Sequence, residues 1–239
     1  MSEIPAFRSI VTGAAGALGQ RIVNTLRARG DQVIGLDRVV PDNAPVPFFQ
    51  VDINDPQSVK DAMEAARVSL GGLDVLVHAA GILRSASFLE ITEEDMAAHL
   101  DTNVRGAVRI AQSAARMMLE DGGRIVFITS IHGQVGVANR GAYAASKGAI
   151  ASLARVIAVE LAPYRIRINV LAPGAVDGGM GPDPGTRSNW ISATPSHRVA
   201  HLDEVARAAA LLTSDDASFI TGQTIAVDGG VSTLRSFSE

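Results

Sequence analysis

The sequence has no cysteine, a single tryptophan, two tyrosines and only a mild net charge of -4. Without cysteine it can form no disulfide and can offer no thiolate to a metal or a covalent intermediate. Its five histidines are dispersed and none forms an HExxH pair, so no metal site is expected. Lysine and arginine are also scattered, with no basic stripe for a phosphodiester backbone, and nucleic acid is not expected as a partner. No run reaches the roughly 18 apolar residues of a membrane span. The opening MSEIPAFRSIVTG has no long apolar segment before its first strand-like run, so the expectation is a soluble cytoplasmic protein with no membrane partner.

What the chain has in quantity is apolar surface. Hydrophobic residues make up 47% of its 239 residues against 19% charged, enough to bury a large core against the entropy of ordering. The length suits one domain, residues 1–239. Short β-branched runs alternate with longer stretches of helical spacing, the pattern of βαβ units. Strands are expected at Ser9–Val11, Gln32–Leu36, Phe48–Val51, Val75–His78, Arg124–Ile128, Arg167–Val170 and Thr224–Val227. Most lack polar alternation, as in a parallel sheet covered by helices on both faces. The expected fold class is therefore α/β, a single Rossmann-type doubly wound domain.

Several helix boundaries can be read directly. Leu18, Ile22 and Leu26 share a stripe in a helix that stops at Gly30. Asp55-Pro56 opens a helix with Val59, Met63 and Ala66 inward, and Thr92 caps another with Asp95 three positions on. Pro41, Pro45 and Pro47 keep the loop after the second strand out of a helix. From Pro173 to His197 the chain has four prolines, five glycines and no clean periodicity. A connection of that length reads as either a surface loop or a lid, and residues 174–198 are taken as a substrate lid.

The first strand runs into TGAAGALG, Thr12 to Gly19, and then into a helix. Gly13 permits the tight turn, Ala15, Gly16, Ala17 and Leu18 bring backbone to a pyrophosphate, and Gly19 allows close helix packing. The helix N-terminus beyond favours an anion. Asp37 closes the second strand, where a carboxylate accepts from two ribose hydroxyls and repels a 2'-phosphate. NAD is expected over NADP. The neighbouring Arg38 reads as a solvated cation or as a phosphate partner.

In YAASK, Tyr143 and Lys147 stand four residues apart at the start of a helix whose inward positions are read as Ile150, Leu153, Ile157 and Leu161. A phenol of pKa roughly 10 is a poor base at neutral pH. A nearby ammonium, helped by a positive nicotinamide ring, favours the phenolate.

TGAAGALG, HAAG at His78–Gly81, Asn103 in DTNVRG, Ser130 in ITS, YAASK, and the PG of Pro173 and Gly174 occur in the order and spacing of the short-chain dehydrogenases/reductases. The chain resembles that family over nearly its whole length. The resemblance implies Tyr143 as general acid/base, Lys147 as the residue that lowers its pKa and grips the nicotinamide ribose, Ser130 on the reacting oxygen, and Asn103 in a water relay through Lys147. It further implies that Asp52 faces the adenine amino group with Ile53 beside it, that Ala79, Ala80 and Gly81 lie along the adenosine ribose, and that Pro173, Gly174 and Val176 lie near the carboxamide. A homotetramer is implied too, with the helices of Asn103 and Tyr143 at one interface and the last strand at another. Alanine-rich faces such as Ala142 to Ala158 read equally as internal packing.

Three positions depart from the family pattern. Ala17 replaces the middle glycine, His78 replaces a sheet-bracing Asn, and Gly178 stands where a Thr usually bonds the carboxamide. Beyond Ser130, His132 and Gln134 leave the fifth strand on the side where ligands sit, as polar loop residues or substrate contacts. Arg140, Met180 and Trp190 are further candidates for the substrate pocket, with Trp190 equally readable as packing. The function expected is an NAD-dependent oxidoreductase for a secondary alcohol, among them a sugar or polyol, and its ketone. A 3-oxoacyl-[acyl-carrier-protein] reductase, a sibling that usually prefers NADPH, is the nearest rival. A non-catalytic nucleotide-sensing protein on the same fold is the rival of another class.

Overall fold

A computed structural model describes residues 7–182 and 185–233; Asp183 and Pro184, within the expected lid, lie outside the described residues. Seven strands form one parallel sheet: β1 (Arg8–Thr12), β2 (Gln32–Asp37), β3 (Phe48–Gln50), β4 (Val75–His78), β5 (Gly123–Ile128), β6 (Ile166–Pro173) and β7 (Thr224–Val227). Their order is β3-β2-β1-β4-β5-β6-β7, so the chain reverses direction across the sheet between β1 and β4. Such a switch opens a crevice at the carboxyl ends of the strands.

Successive strand residues feed opposite layers. Ile10, Ile34, Leu76, Ile125 and Phe127 belong to one buried cluster with helices α2 (Pro56–Leu70), α4 (Ala107–Met118) and α5 (Gly141–Leu161). Val11, Val33, Val75, Val77 and Val126 join the other cluster, with α1 (Ala17–Arg29) and α7 (Leu202–Leu212). This is the two-faced burial that the unbroken apolar runs require. Because the strands run parallel, Asp37, His78 and Ser130 stand at or just beyond the same end of the sheet.

Helix boundaries follow local chemistry. Gly30 closes α1 in the left-handed region at φ 105, which a side chain would resist. The Asp55 side chain accepts from the Gln57 N–H with Pro56 opening α2, and the Thr92 hydroxyl accepts from the Asp95 N–H at the start of α3 (Glu93–His99). Between α3 and α4 the residues Leu100–Gly106 form a π-helical turn that contains Asn103. Such turns are rare and concentrate at functional sites.

Two sequence expectations are corrected. In α5 the fully buried face is Ala142, Tyr143, Ser146, Lys147, Ile150, Ala154 and Ala158, with alanine alone in the half of it beyond Ile150. Leu153, Ile157 and Leu161 are only partly buried: Ile157 and Leu161 pack against the core cluster, and all three also line a groove with Ala111 and Ala115 of α4. Gly141–Tyr164 contains an 18-residue window of mean hydropathy 1.2 and so passes for a membrane span by composition, yet the buried face of α5 includes the polar Ser146 and Lys147. Finally, the 174–198 stretch contains α6 (Arg187–Ala193), too short and mixed to register as a period.

Candidate functional site

The glycine turn is shaped by space. A Cβ on Gly13 would stand 2.7 Å from the Ala80 amide nitrogen, and one on Gly19 would stand 2.0 Å from the Gly13 carbonyl oxygen, so neither position admits a side chain. The first backbone bond of α1 is Gln20 N–H to the Gly16 carbonyl, and no side chain caps the helix. The amides of Ala17, Leu18 and Gly19 therefore face the cleft as orphan donors, as a pyrophosphate requires. Ala17 replaces glycine without obstruction, since Gly179 of the lid lies opposite with room for its methyl.

Two adjoining hollows share Gly13, Gly16, Ala79 and Met180 and make one cleft across the switch point. The first contains Asp37, Arg38, Asp52, Ile53, Ala80 and Gly81, with Asn54 and Thr102 as additional polar walls. The second contains Leu18, Gly19, Ser130, Lys147, Pro173, Gly174 and Val176. Ala15 lies behind the wall: its N–H donates to Asp37 Oδ2 at 3.0 Å and fixes that carboxylate at the mouth. Met180, read from sequence as a substrate contact, lines both hollows, the second of them together with Ser130 and Lys147. Gly178 adopts φ 102, a conformation in which the family's Thr would be strained, which accounts for that departure.

At the inner end stand four buried side chains. Asn103 accepts from Ile82 N–H at 2.8 Å and donates to the Ile82 carbonyl and to Ser146 Oγ, each at 3.0 Å. Ser146 in turn donates to the Tyr143 carbonyl at 2.7 Å. A Cβ on Gly81 would reach 3.0 Å from Asn103 Oδ1 and 3.3 Å from Lys147 Nζ, so these three positions converge on one small volume. Lys147 donates to the Ile128 carbonyl at 3.2 Å, leaving two of its three N–H donors for the cleft it lines. Burial lowers its pKa to about 8.

Tyr143 is 6% exposed. Burial raises its pKa, and the Ser130 hydroxyl and the positive Arg140 oppose that only in part. The sequence reading gave Lys147 the task of lowering this pKa. In the structure the ammonium sits 5.6 Å from the ring centre, and desolvation is the larger influence on the phenol.

Two histidines flank the phenol. His99, which the sequence reading missed, is fully buried and edge-on to Tyr143 at 6.2 Å; it accepts from Arg84 N–H at 3.0 Å and its Nδ1 donates to the Asp95 carbonyl at 2.7 Å. His132 is edge-on at 5.8 Å, with Trp190 of α6 stacked on its other side. Gln134 is exposed on the turn beyond, and Arg140 precedes α5. His78 bonds Thr12 Oγ1 through Nδ1 at 2.8 Å within the sheet, away from the reacting groups. Ser146 escaped the sequence reading too; its signal was a serine beside lysine on an otherwise apolar helix face. No cluster of metal-ligating residues occurs among the described residues.

A family model described as enoyl-(acyl carrier protein) reductase matches residues 13–232. The 3-oxoacyl-[acyl-carrier-protein] reductase FabG of Escherichia coli (strain K12) is 32% identical over 234 residues, covering 93% of this chain and 96% of that protein. The 3-oxoacyl-[acyl-carrier-protein] reductase MabA of Mycobacterium tuberculosis (strain H37Rv) is 37% identical over 227 residues, covering 93% and 91%. Among solved structures, the aldohexose dehydrogenase of Thermoplasma acidophilum superposes with a TM-score of 0.92 at 29% identity, covering 98% of this chain and 97% of that one.

Proposed function

The chain belongs to the short-chain dehydrogenase/reductase family, oxidoreductases of CH–OH groups that use NAD(P), and from that premise we propose NAD-dependent interconversion of a secondary alcohol and its ketone, with Tyr143 as general acid/base. The observation that carries this reading is the single cleft that runs from Asp37, past the free amides of α1, to Ser130 and Lys147. The orphan donors and the side-chain-free cradle suit a dinucleotide, which when bound there supplies the hydride acceptor or donor. Asp37 would hold the adenosine ribose and Lys147 the other ribose. Ser130 would hold the substrate oxygen in line, and Tyr143 would take or return its proton. Asn103 holds the Ile82 backbone and Ser146, and through them the start of α5.

Nicotinamide absorbance, followed while the protein meets NAD or NADP and a panel of secondary alcohols, sugars and polyols, tests the reading. Full turnover by Tyr143→Phe would sink it. A second reading, reduction of a 3-oxoacyl thioester, is favoured by the names of the relatives at 32% and 37% identity. Asp37 at the adenosine end argues for NAD and against that sibling. Rates on a 3-ketoacyl thioester with NADH and with NADPH separate the two.

The proposal extends to a homotetramer. The groove between α4 and α5 carries Leu153, Ile157 and Leu161, with Val156 and Val159 exposed beside it at 53% and 76%. Such an apolar stripe on a helix pair suits burial against a second copy. Light scattering checks it.

A further inference from the structure

Tyr143 is met by the ring of His132, which the ring of Trp190 covers in turn. His132 meets the phenol edge-on at 5.8 Å and 80°. Trp190, the sole tryptophan, stacks on His132 at 5.7 Å and 28°. His132 is also bound to the machinery through its backbone, since its N–H donates to Ser130 Oγ at 3.2 Å. The imidazole is thus anchored beside the hydroxyl assigned to the reacting oxygen.

Its Nδ1 is buried with no hydrogen-bond partner. A phenyl ring would stack between Tyr143 and Trp190 as well and leave no polar atom unmet, so packing alone does not explain an imidazole here. Burial and the positive Arg140 lower its pKa to about 4, so at neutral pH the ring is an uncharged donor and acceptor and no cation. Trp190 is only half-buried, on a helix of seven residues whose start is tied down by the exposed ion pair of Arg187 with Asp177 at 2.6 Å.

We propose that His132 and Trp190 select the substrate: His132 Nδ1 hydrogen-bonds a second oxygen on the carbon next to the reacting one, and the Trp190 indole packs on the carbon ring of that substrate. The substrate class is therefore a cyclic vicinal diol or its 2-hydroxy ketone. This rests on the hydride-transfer reading and deepens it. The adjacency comes from Ser130, which by that reading holds the first oxygen while its own hydroxyl accepts from His132. The apolar stack supplies a flat face for C–H groups, and one buried nitrogen supplies the polar selection. A site built to bond a hydroxyl discriminates strongly against an analogue that lacks it, because its own polar group is then stranded.

The test compares 2-hydroxycyclohexanone with cyclohexanone, using NADH and NADPH, and reads the ratio of their kcat/KM values. A ratio taken on one preparation is insensitive to how much of a variant is folded. The wild type is expected to favour the hydroxy ketone by at least about tenfold. His132→Phe, which keeps the stack and deletes the nitrogen, brings the ratio to within about threefold of one, while His132→Gln recovers part of it. Trp190→Leu raises KM for both ketones. A wild-type ratio near one, or an unchanged ratio in His132→Phe, overturns the proposal. If neither ketone is turned over while a 3-oxoacyl thioester is reduced, this inference falls and the hydride-transfer reading stands. Failure on every carbonyl removes both.

Discussion

Lys147 Nζ stands 5.6 Å from the centre of the Tyr143 ring, one helical turn further along α5, and donates to the Ile128 carbonyl oxygen at 3.2 Å. The ammonium is thus held by the end of β5, beside the phenol without bonding it. Burial works on the pair in opposite senses, raising the phenol and lowering the ammonium to about 8. The free protein accordingly rests with Tyr143 protonated, the state that the proposed reaction needs for giving a proton to a ketone oxygen.

Removing the phenolic oxygen removes that transfer and little else. Tyr143→Phe is expected to lower kcat by about 10²- to 10⁴-fold, the usual worth of positioned proton transfer. Titration by nicotinamide fluorescence should still detect cofactor binding, since the orphan amides of α1 and Asp37 are untouched. Loss of binding together with turnover would make Tyr143 a structural residue.

The raised phenol also sets a sign for pH dependence. Alcohol oxidation needs the phenolate, so its kcat/KM climbs with pH below 8, approaching about tenfold per unit. Ketone reduction needs the phenol and stays level over the same range. The Lys147 ammonium loses its proton through about 8, and there the oxidation profile bends over. Profiles measured in both directions check this; parallel profiles would exclude Tyr143 as the titrating group.

Asp37 has a structural bond as well as a proposed selective one. Its Oδ2 accepts from Ala15 N–H at 3.0 Å, which turns the carboxylate toward the adenosine end. A 2'-phosphate placed a few ångströms away would meet like charge at a cost of about 1–4 kcal/mol. Asp37→Ser should therefore raise the ratio of kcat/KM for NADP over NAD by about tenfold or more, with Arg38 at hand for the phosphate. The lost bond should lower stability by about 1–3 kcal/mol, visible in a thermal melt. A wild type that already prefers NADP would defeat the assignment of Asp37.

The sheet was legible because a strand buried on both faces writes itself as an apolar run, as in VLVH of β4 and RIVFI of β5. The glycine turn and YAASK were legible because their spacing is local to one turn or one helix. What escaped depends on contacts between distant segments. His99 reaches Tyr143 from another helix, and Asn103 meets Ser146 across 43 positions. The wide apolar stripe of α5 hid which residues are fully buried, since Ala154 and Ala158 are enclosed while Leu153 and Ile157 stay only partly covered. Trp190 could be placed only once α6 had folded back over His132.

His78 ties the sheet to acid stability. Its Nδ1 bonds Thr12 Oγ1 at 2.8 Å, its Nε2 is buried with no partner, and burial, aided by the Lys147 cation, lowers its pKa to about 3. The unfolded chain takes up a proton near pH 6.5, but the folded one does so only near 3. The unfolded state therefore binds more protons in that window: the stability due to a neutral His78 is whole above 6.5 and drains as pH falls toward 3, by on the order of 5 kcal/mol in all. His78→Asn, which cannot titrate, should lose less stability than the wild type between pH 7 and 4.5, whatever its stability at pH 7. Urea midpoints at the two pH values for both proteins give the comparison, and because other carboxylates titrate alike in each, equal losses would show that His78 takes its proton without unfolding anything.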